Sequence, residues 1–197
     1  MAGMLPVGTT PDDPLRKLSF FWSLPVAAFD DWRMAGRDAW LRQLHGLWPK
    51  ARERLGDDFD AACLARAAYR DAIPRRWWRG RAVLLGDAAH AMSPQLGQGA
   101  NMALLDAWAL AIALEQETDL DRALHRYARL RGLHVRIYQA LSFLFTPFYQ
   151  SDSAALPWIR DRLLWPLSQI PPVPALLSRM AQGRLIDPMR GARSLKS

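Results

Sequence analysis

The chain has 197 residues, half of them hydrophobic, a formal net charge of +7 and one cysteine, Cys63. That is material for a sizeable core in one domain or two small ones. A lone cysteine excludes an internal disulfide and a cysteine-held metal cluster, so a reducing compartment, the cytoplasm, is expected. No basic segment followed by an apolar core opens the chain, so no secretory leader is expected. The nearly apolar stretch from Met102 to Leu114 is interrupted by Asp106 and falls short of the roughly 20 residues that cross a bilayer.

The basic residues are almost all arginine, with lysine only at Lys17, Lys50 and Lys196. They are dispersed, which reads as solvated charge. With no basic stripe of interleaved stacking aromatics, nucleic-acid binding is not expected.

In chain order, Gly3 to Gly8 and Leu18 to Leu24 read as two strands joined by a loop at Thr10-Pro11-Asp12-Asp13-Pro14. From Gly36 to Trp48 the positions of Trp40, Leu41, Leu44, Leu47 and Trp48 are helical, and Pro49 ends the pattern. Ala61 to Ala68 reads as a second, short helix. From Arg81 the run Ala82-Val83-Leu84-Leu85 is apolar without a break and stops at Gly86-Asp87, the pattern of a short buried strand. A loop from Ala91 to Gly99 follows. Asn101 to Leu114 is then apolar almost all the way round, which predicts a helix buried on most sides. Thr118 with Asp121 resembles a capping box that opens a long helix through Tyr138 or beyond, with Leu124, Tyr127, Leu130 and Leu133-His134 as its packing stripe. Beyond Pro147 the prolines at 157, 166, 171, 172 and 174 divide the chain into short helices, with a frayed tail after Gly183.

The segment from Gly86 to Asn101 carries the chemistry. Gly86 permits close approach of backbone to a ligand at a strand end, and Asp87 offers a carboxylate that accepts from sugar-type hydroxyls. Gly97 and Gly99 allow a tight turn ahead of a helix whose first amides, near Ala100 and Asn101, have no intrahelical acceptor and sit at the positive end of the helix dipole. His90 reads as a loop histidine satisfied by backbone groups, since no nucleophile or metal-ligand partner follows at useful spacing. No metal site is expected. Asp106, inside an apolar helix, needs a cationic partner or a helix end. The tryptophans read mainly as core, while Leu141 to Tyr149 with Trp158 and Trp165 beside Arg160 and Arg162 form a candidate for peripheral contact with the inner face of a membrane.

Gly86, Asp87, His90, Pro94, Gly97, Gly99 and Asn101 in a strand–loop–helix setting resemble the second FAD-binding motif of the class A flavoprotein monooxygenases. That group includes para-hydroxybenzoate hydroxylase and the ubiquinone-biosynthesis hydroxylases. Leu5-Pro6-Val7-Gly8 and Phe20 to Pro25 are similar to the family's substrate-domain strands, and Arg131 with His134-Val135-Arg136 to its following helix. The resemblance implies an α+β fold: a remnant of the substrate-domain sheet in residues 1–75, then an FAD-binding segment and a mostly helical C-terminal region in residues 76–197. It implies contacts of Gly86 and Asp87 with the ribityl chain and pyrophosphate, of Pro94 with the isoalloxazine neighbourhood, and of Gly99, Ala100 and Asn101 with the ring's pyrimidine edge, with Gly97 in the turn of the same cofactor site.

It further implies FAD as cofactor, NAD(P)H as reductant, O2 as co-substrate and hydroxylation of an organic, aromatic or lipophilic, small molecule. The strand, Gly-x-Gly-x-x-Gly turn and helix with which the family holds the ADP end have no counterpart here: Gly97-Gln98-Gly99 has Met102 at the third glycine position. The Rossmann-type N-terminal half is therefore expected to be absent from this chain. The chain alone is expected to be inactive, to bind little FAD, and to associate with that half or with itself. The contrasting expectation is a catalytically incomplete remnant or partner subunit that serves as an association module.

Overall fold

A computed structural model describes residues 2–55, 64–67, 69–151, 153 and 155–189. The chain divides into two compact units, Met1–Ala67 and Ala68–Ser197. The mixture of helices with two small two-stranded sheets is the expected α+β class.

In the first unit, β1 (Ala2–Thr10) and β2 (Asp13–Trp22) form an antiparallel hairpin in which Ala2 faces Trp22 and Thr10 faces Asp13. The turn lies where the proline and aspartate cluster placed it; β1 runs further than the sequence suggested at both ends, while β2 starts earlier, at Asp13, and stops at Trp22, short of Leu24. Gly3 is required opposite Phe21, because a Cβ there would overlap the phenyl ring. After a 3-10 turn at Val26–Ala28, α1 (Phe29–Leu47) begins seven residues ahead of the expected start at Gly36. The reason is local: Asp30 and Asp31 favour a helix start, and Gly36, at φ 77° and ψ 178°, breaks α1 into two helical runs. Pro49 ends α1 and at once opens α2 (Pro49–Leu55), consistent with proline's tolerance in a first turn. Trp40, Leu41, Leu44 and Ala51 are buried, with Met4, Phe20, Trp22 and Trp32 packed on them. The rings of Phe20, Trp22 and Trp32 meet Trp40 edge-on, at 5.8, 6.1 and 6.4 Å between centroids. The helix expected over Ala61 to Ala68 falls mostly outside the described residues, and Leu64–Ala67 are not helical.

In the second unit, β3 (Trp78–Arg79) pairs with β4 (Ala82–Val83), and the one-turn helix α3 (Asp87–His90) follows. A 3-10 turn at Pro94–Leu96 leads into α4 (Gly99–Gln116), which packs along α5 (Leu120–Tyr149). Beyond these come α6 (Ala155–Ile159), a π-helical turn at Arg160–Leu164, α7 (Trp165–Leu167) and α8 (Val173–Ala181).

Several sequence expectations change here. The Ala82 to Leu85 run is paired only over two residues and is half-exposed rather than buried. α4 buries one stripe, Met102, Asp106, Ala109 and Ala113, and leaves Leu104 72% and Trp108 56% exposed. A helix apolar all round shows no favoured side in its sequence, so which side is covered is decided by its neighbours. The N-cap of α5 is Asp119 rather than Thr118: its Oδ1 accepts from the Arg122 amide at 2.9 Å. Leu133 is half-exposed, and Arg131 takes its place inside. The stretch after Gly183 is no frayed tail as far as Met189, which is buried against Ala109, Ala113, Tyr127 and Leu130.

Candidate functional site

The turn at Gly86 is built for a backbone that no other residue adopts with ease. Gly86 is buried at φ 54°, and a Cβ on it would come within 2.9 Å of the Ala103 methyl. Its amide donates to Asp106 Oδ2 at 2.9 Å. Behind it, α3 starts, so that Ala89 and His90 amides donate back to the Gly86 carbonyl. Asp87 is exposed, and its Oδ1 leans over the start of α4, 3.7 Å from where a Cβ on Gly99 would stand.

The loop that follows has the expected form. Pro94 opens the 3-10 turn, Gly97 takes the left-handed conformation at φ 61°, and α4 begins at Gly99 with Gln98 as N-cap. Pro94, Gly97, Gly99 and Ala100 are exposed, and Asn101 is half-buried. The amides of Gly99, Ala100 and Asn101 belong to the first turn, where no carbonyl lies one turn back to receive them. Gly86, Asp87, Gly99, Ala100 and Asn101 thus belong to one neighbourhood: a glycine turn, an exposed carboxylate and a helix start with its positive dipole end bare.

Behind this face lies a buried ionic cluster. Asp106 is fully buried and accepts from three sides: the Gly86 amide, Arg131 Nε at 2.7 Å and the His90 ring. Burial works to raise the Asp106 pKa, but the bonds from His90, Arg131 and Gly86 outweigh it and hold the carboxyl below its ordinary value. Arg131 extends the network through Nη1 to His134 Nδ1 and to the Pro188 carbonyl, both at 3.2 Å. His134 then bonds the Gly183 carbonyl through Nε2 at 2.9 Å. Burial lowers the His134 pKa despite that bond and keeps the ring neutral. The Tyr127 hydroxyl donates to the Leu84 carbonyl at 3.1 Å, and its burial pushes the phenol pKa upward.

Asp106 therefore finds the arginine its position demanded. His90 differs from expectation: its partner is the Asp106 carboxylate, not backbone, because the one-turn helix α3 directs the ring inward against α4. Two contributors carried no recognisable signal in sequence. Gln98 is buried, donates to the Ala181 carbonyl at 2.6 Å, and accepts from Asn101 Nδ2 at 2.9 Å. Gly183, at φ 72°, lies so close that a Cβ would stand 2.2 Å from Asn101 Nδ2 and 2.8 Å from Gln98 Oε1. The C-terminal segment thus fastens the loop from Pro94 to Asn101 from behind.

The residues fit a flavin dinucleotide on their own geometry. The glycines leave backbone reachable at 97 and 99, Asp87 presents free acceptors for hydroxyls, and the helix start suits an anionic or electron-rich edge.

The comparisons with known proteins agree. The FAD binding domain family matches residues 52–137. The aurachin C monooxygenase/isomerase of Stigmatella aurantiaca is 36% identical over 125 residues, covering 63% of this chain and 33% of that protein. The 3-hydroxybenzoate 6-hydroxylase 1 of Aquipseudomonas alcaligenes is 38% identical over 95 residues, 48% of this chain and 24% of that one. Among solved structures, Klebsiella pneumoniae HpxO in complex with FAD shares the fold at a TM-score of 0.62 and 24% identity, over 86% of this chain and 43% of that chain. The chain spans about a third of the length of the aurachin enzyme. With the glycine turn and the bare helix start, the chain matches the FAD binding domain family over residues 52–137 and is similar to FAD-dependent monooxygenases over part of their length.

Proposed function

We propose that this chain supplies the ribityl and isoalloxazine side of the FAD site of a hydroxylating monooxygenase, acting on an organic, aromatic or lipophilic, substrate with NAD(P)H and O2. The observation that carries the reading is the Gly86-Asp87 turn, clamped by Asp106 and facing the glycine-flanked start of α4. Gly86 brings backbone near the ribityl chain and Asp87 accepts from its hydroxyls. Pro94 lines the ring's neighbourhood. Gly97 and Gly99 let the amides of Ala100 and Asn101 address the pyrimidine edge, where the helix dipole stabilises negative charge. When bound, the flavin supplies the hydride-accepting and oxygen-activating chemistry. The protein's part is to place it and to keep water away.

The ADP end needs residues this chain does not carry. The exposed apolar side of α4, with Leu104 and Trp108, supports association with a dinucleotide-binding half. The same surface supports the second reading, a partner subunit that works by association alone. The lone cysteine supports cytoplasmic placement. Among the described residues, no helix is long and apolar enough to cross a membrane.

The experiment joins the chain to a strand-Gly-x-Gly-x-x-Gly-helix half encoded upstream or supplied in trans. The joined protein retains flavin, whereas the chain alone purifies with substoichiometric flavin. Asp87→Ala lowers that retention and leaves the melting curve in place. Stoichiometric flavin in the chain alone, or full retention in Asp87→Ala, contradicts the assignment.

A further inference from the structure

The positive charge of this protein is not evenly spread. Residues 121–197 hold 12 of the 26 Lys and Arg but 4 of the 19 Asp and Glu, while residues 1–120 hold 14 basic and 15 acidic residues. The excess of +7 is therefore carried by residues 121–197, of whose twelve basic residues four, Arg184, Arg190, Arg193 and Lys196, follow the last described helix in sequence. Between Leu133 and Met180 the acids are Asp152 and Asp161 alone. Asp161 is bound to Arg160, with Nε to Oδ1 at 2.7 Å and Nη2 to Oδ2 at 3.2 Å.

The same helices display large apolar side chains. Phe143 is 75% exposed, Trp158 63% and Trp165 65%, with Leu144 and Leu163 also exposed. The two tryptophans flank Arg160 and Arg162 along the run from α6 through the π-helical turn to α7. Arg160 fastens this run to the end of α5: its Nη1 donates to the Phe148 carbonyl at 3.1 Å, and its guanidinium lies 5.3 Å from the Tyr149 ring centroid. Phe143 and Leu144 on α5 thus belong to the same end of the unit as Trp158.

We propose that this end of the second unit is a docking face for an anionic lipid bilayer, on which the protein lies rather than spans. Exposed tryptophan suits the headgroup boundary, where its ring is apolar and its N–H is wet, and phenylalanine and leucine gain by entering the acyl region. Arginine there is drawn to lipid phosphate and to anionic headgroups. Charge complementarity separates this occupant from a second copy of the chain, since two such faces brought together oppose the positive charge that Arg162 adds beyond the Arg160–Asp161 pair. The aliphatic and aromatic exposure separates it from nucleic acid, which offers phosphate but no apolar phase for Leu163 or Phe143. The proposal does not rest on the flavin reading.

The test uses the full chain with vesicles of phosphatidylcholine alone, and with phosphatidylglycerol added, followed by sedimentation. The chain pellets with the anionic vesicles about tenfold more strongly than with neutral ones, and salt weakens the binding. Trp158→Ser with Trp165→Ser loses about tenfold at an unchanged melting temperature, because both side chains are exposed. Arg162→Gln weakens binding to the anionic vesicles only. Should the double variant fail to fold, quenching of the parent chain's tryptophan fluorescence by brominated phosphatidylcholine, mixed with phosphatidylglycerol, decides the matter. No pelleting at low salt, or no such quenching, overturns the proposal. So does a self-association abolished by the double variant without vesicle binding, or equal binding to a DNA duplex that is indifferent to it.

Discussion

The two units hold themselves together by different means. In the first, Trp40 is surrounded by Phe20, Trp22 and Trp32 in edge-on contacts, and the buried cluster of Trp40, Leu41, Leu44 and Ala51 contains no ionisable side chain. In the second, Ala109 and Ala113 of α4 pack on Tyr127 and Leu130 of α5, and beside that apolar contact lie the buried Asp106, Arg131, His90 and His134. Apolar burial is non-directional and sets stability by area and fit, to which the edge-on ring contacts add a modest geometric preference. A buried ionic cluster offers little net stability over an apolar core, but each of its bonds fixes a direction. The difference teaches where to look for a site: within the second unit, the directional cluster lies directly under the glycine turn.

Single truncations sharpen that comparison most. Asp106→Ala leaves Arg131 buried without its carboxylate and frees the Gly86 amide, at a cost of about 3–5 kcal/mol. Stability of the whole second unit falls, instead of flavin affinity alone; a normal melt with flavin retention lost would falsify this. Trp40→Ala costs a similar ~3–5 kcal/mol by cavity formation, confined to the first unit. Hydrogen exchange resolved by residue separates the two cases, and a loss shared equally by both units in either variant would break the contrast.

Gly183→Ala comes next. The added methyl meets Asn101 and Gln98, and φ 72° is strained for alanine, so a loss of about 1–3 kcal/mol is expected. Faster exchange of the amides around Gln98 marks it as a loosening of the loop, and an unchanged melting temperature refutes the clamp. Asp119→Ala removes the cap of α5 for about 1 kcal/mol, seen as fraying of the first turn.

Acid separates the units without any mutation. His134 is held below the ordinary histidine value of 6.5, so from about pH 6.5 downward the unfolded chain binds a proton that the folded chain refuses. Stability of the second unit therefore declines as pH falls through that range. Asp106, held below the ordinary carboxylate value of 3.8, adds a second loss below about pH 4, where the unfolded carboxyl protonates first. The aromatic cluster of the first unit has no such group. Equal acid sensitivity of the two units in a pH series of melts would remove this basis for the contrast.

What could be read from sequence was what short-range rules encode. The hairpin turn, the glycine loop before α4 and the need of Asp106 for a cation all follow from residue type at fixed local spacing. The one-sided burial of α4 did not, since its residues are apolar on every side. Asp119 displaced Thr118 as cap by a single residue, a distinction between two good capping types that only the backbone decides. The clamp from Ala181 to Met189 was missed because its bonds to Gln98, Arg131 and His134 span between 49 and 83 residues, and its composition imitates a tail.

The Gln98 to Ala181 bond also bears on synthesis. On the ribosome, the loop at residues 94–101 emerges long before the segment that fastens it. Its final geometry must wait for the last stretch of the chain to be released. Until then His134 lacks its carbonyl acceptor and Gln98 its anchor, so a nascent chain stalled before residue 183 carries a finished α4 but an unfinished loop.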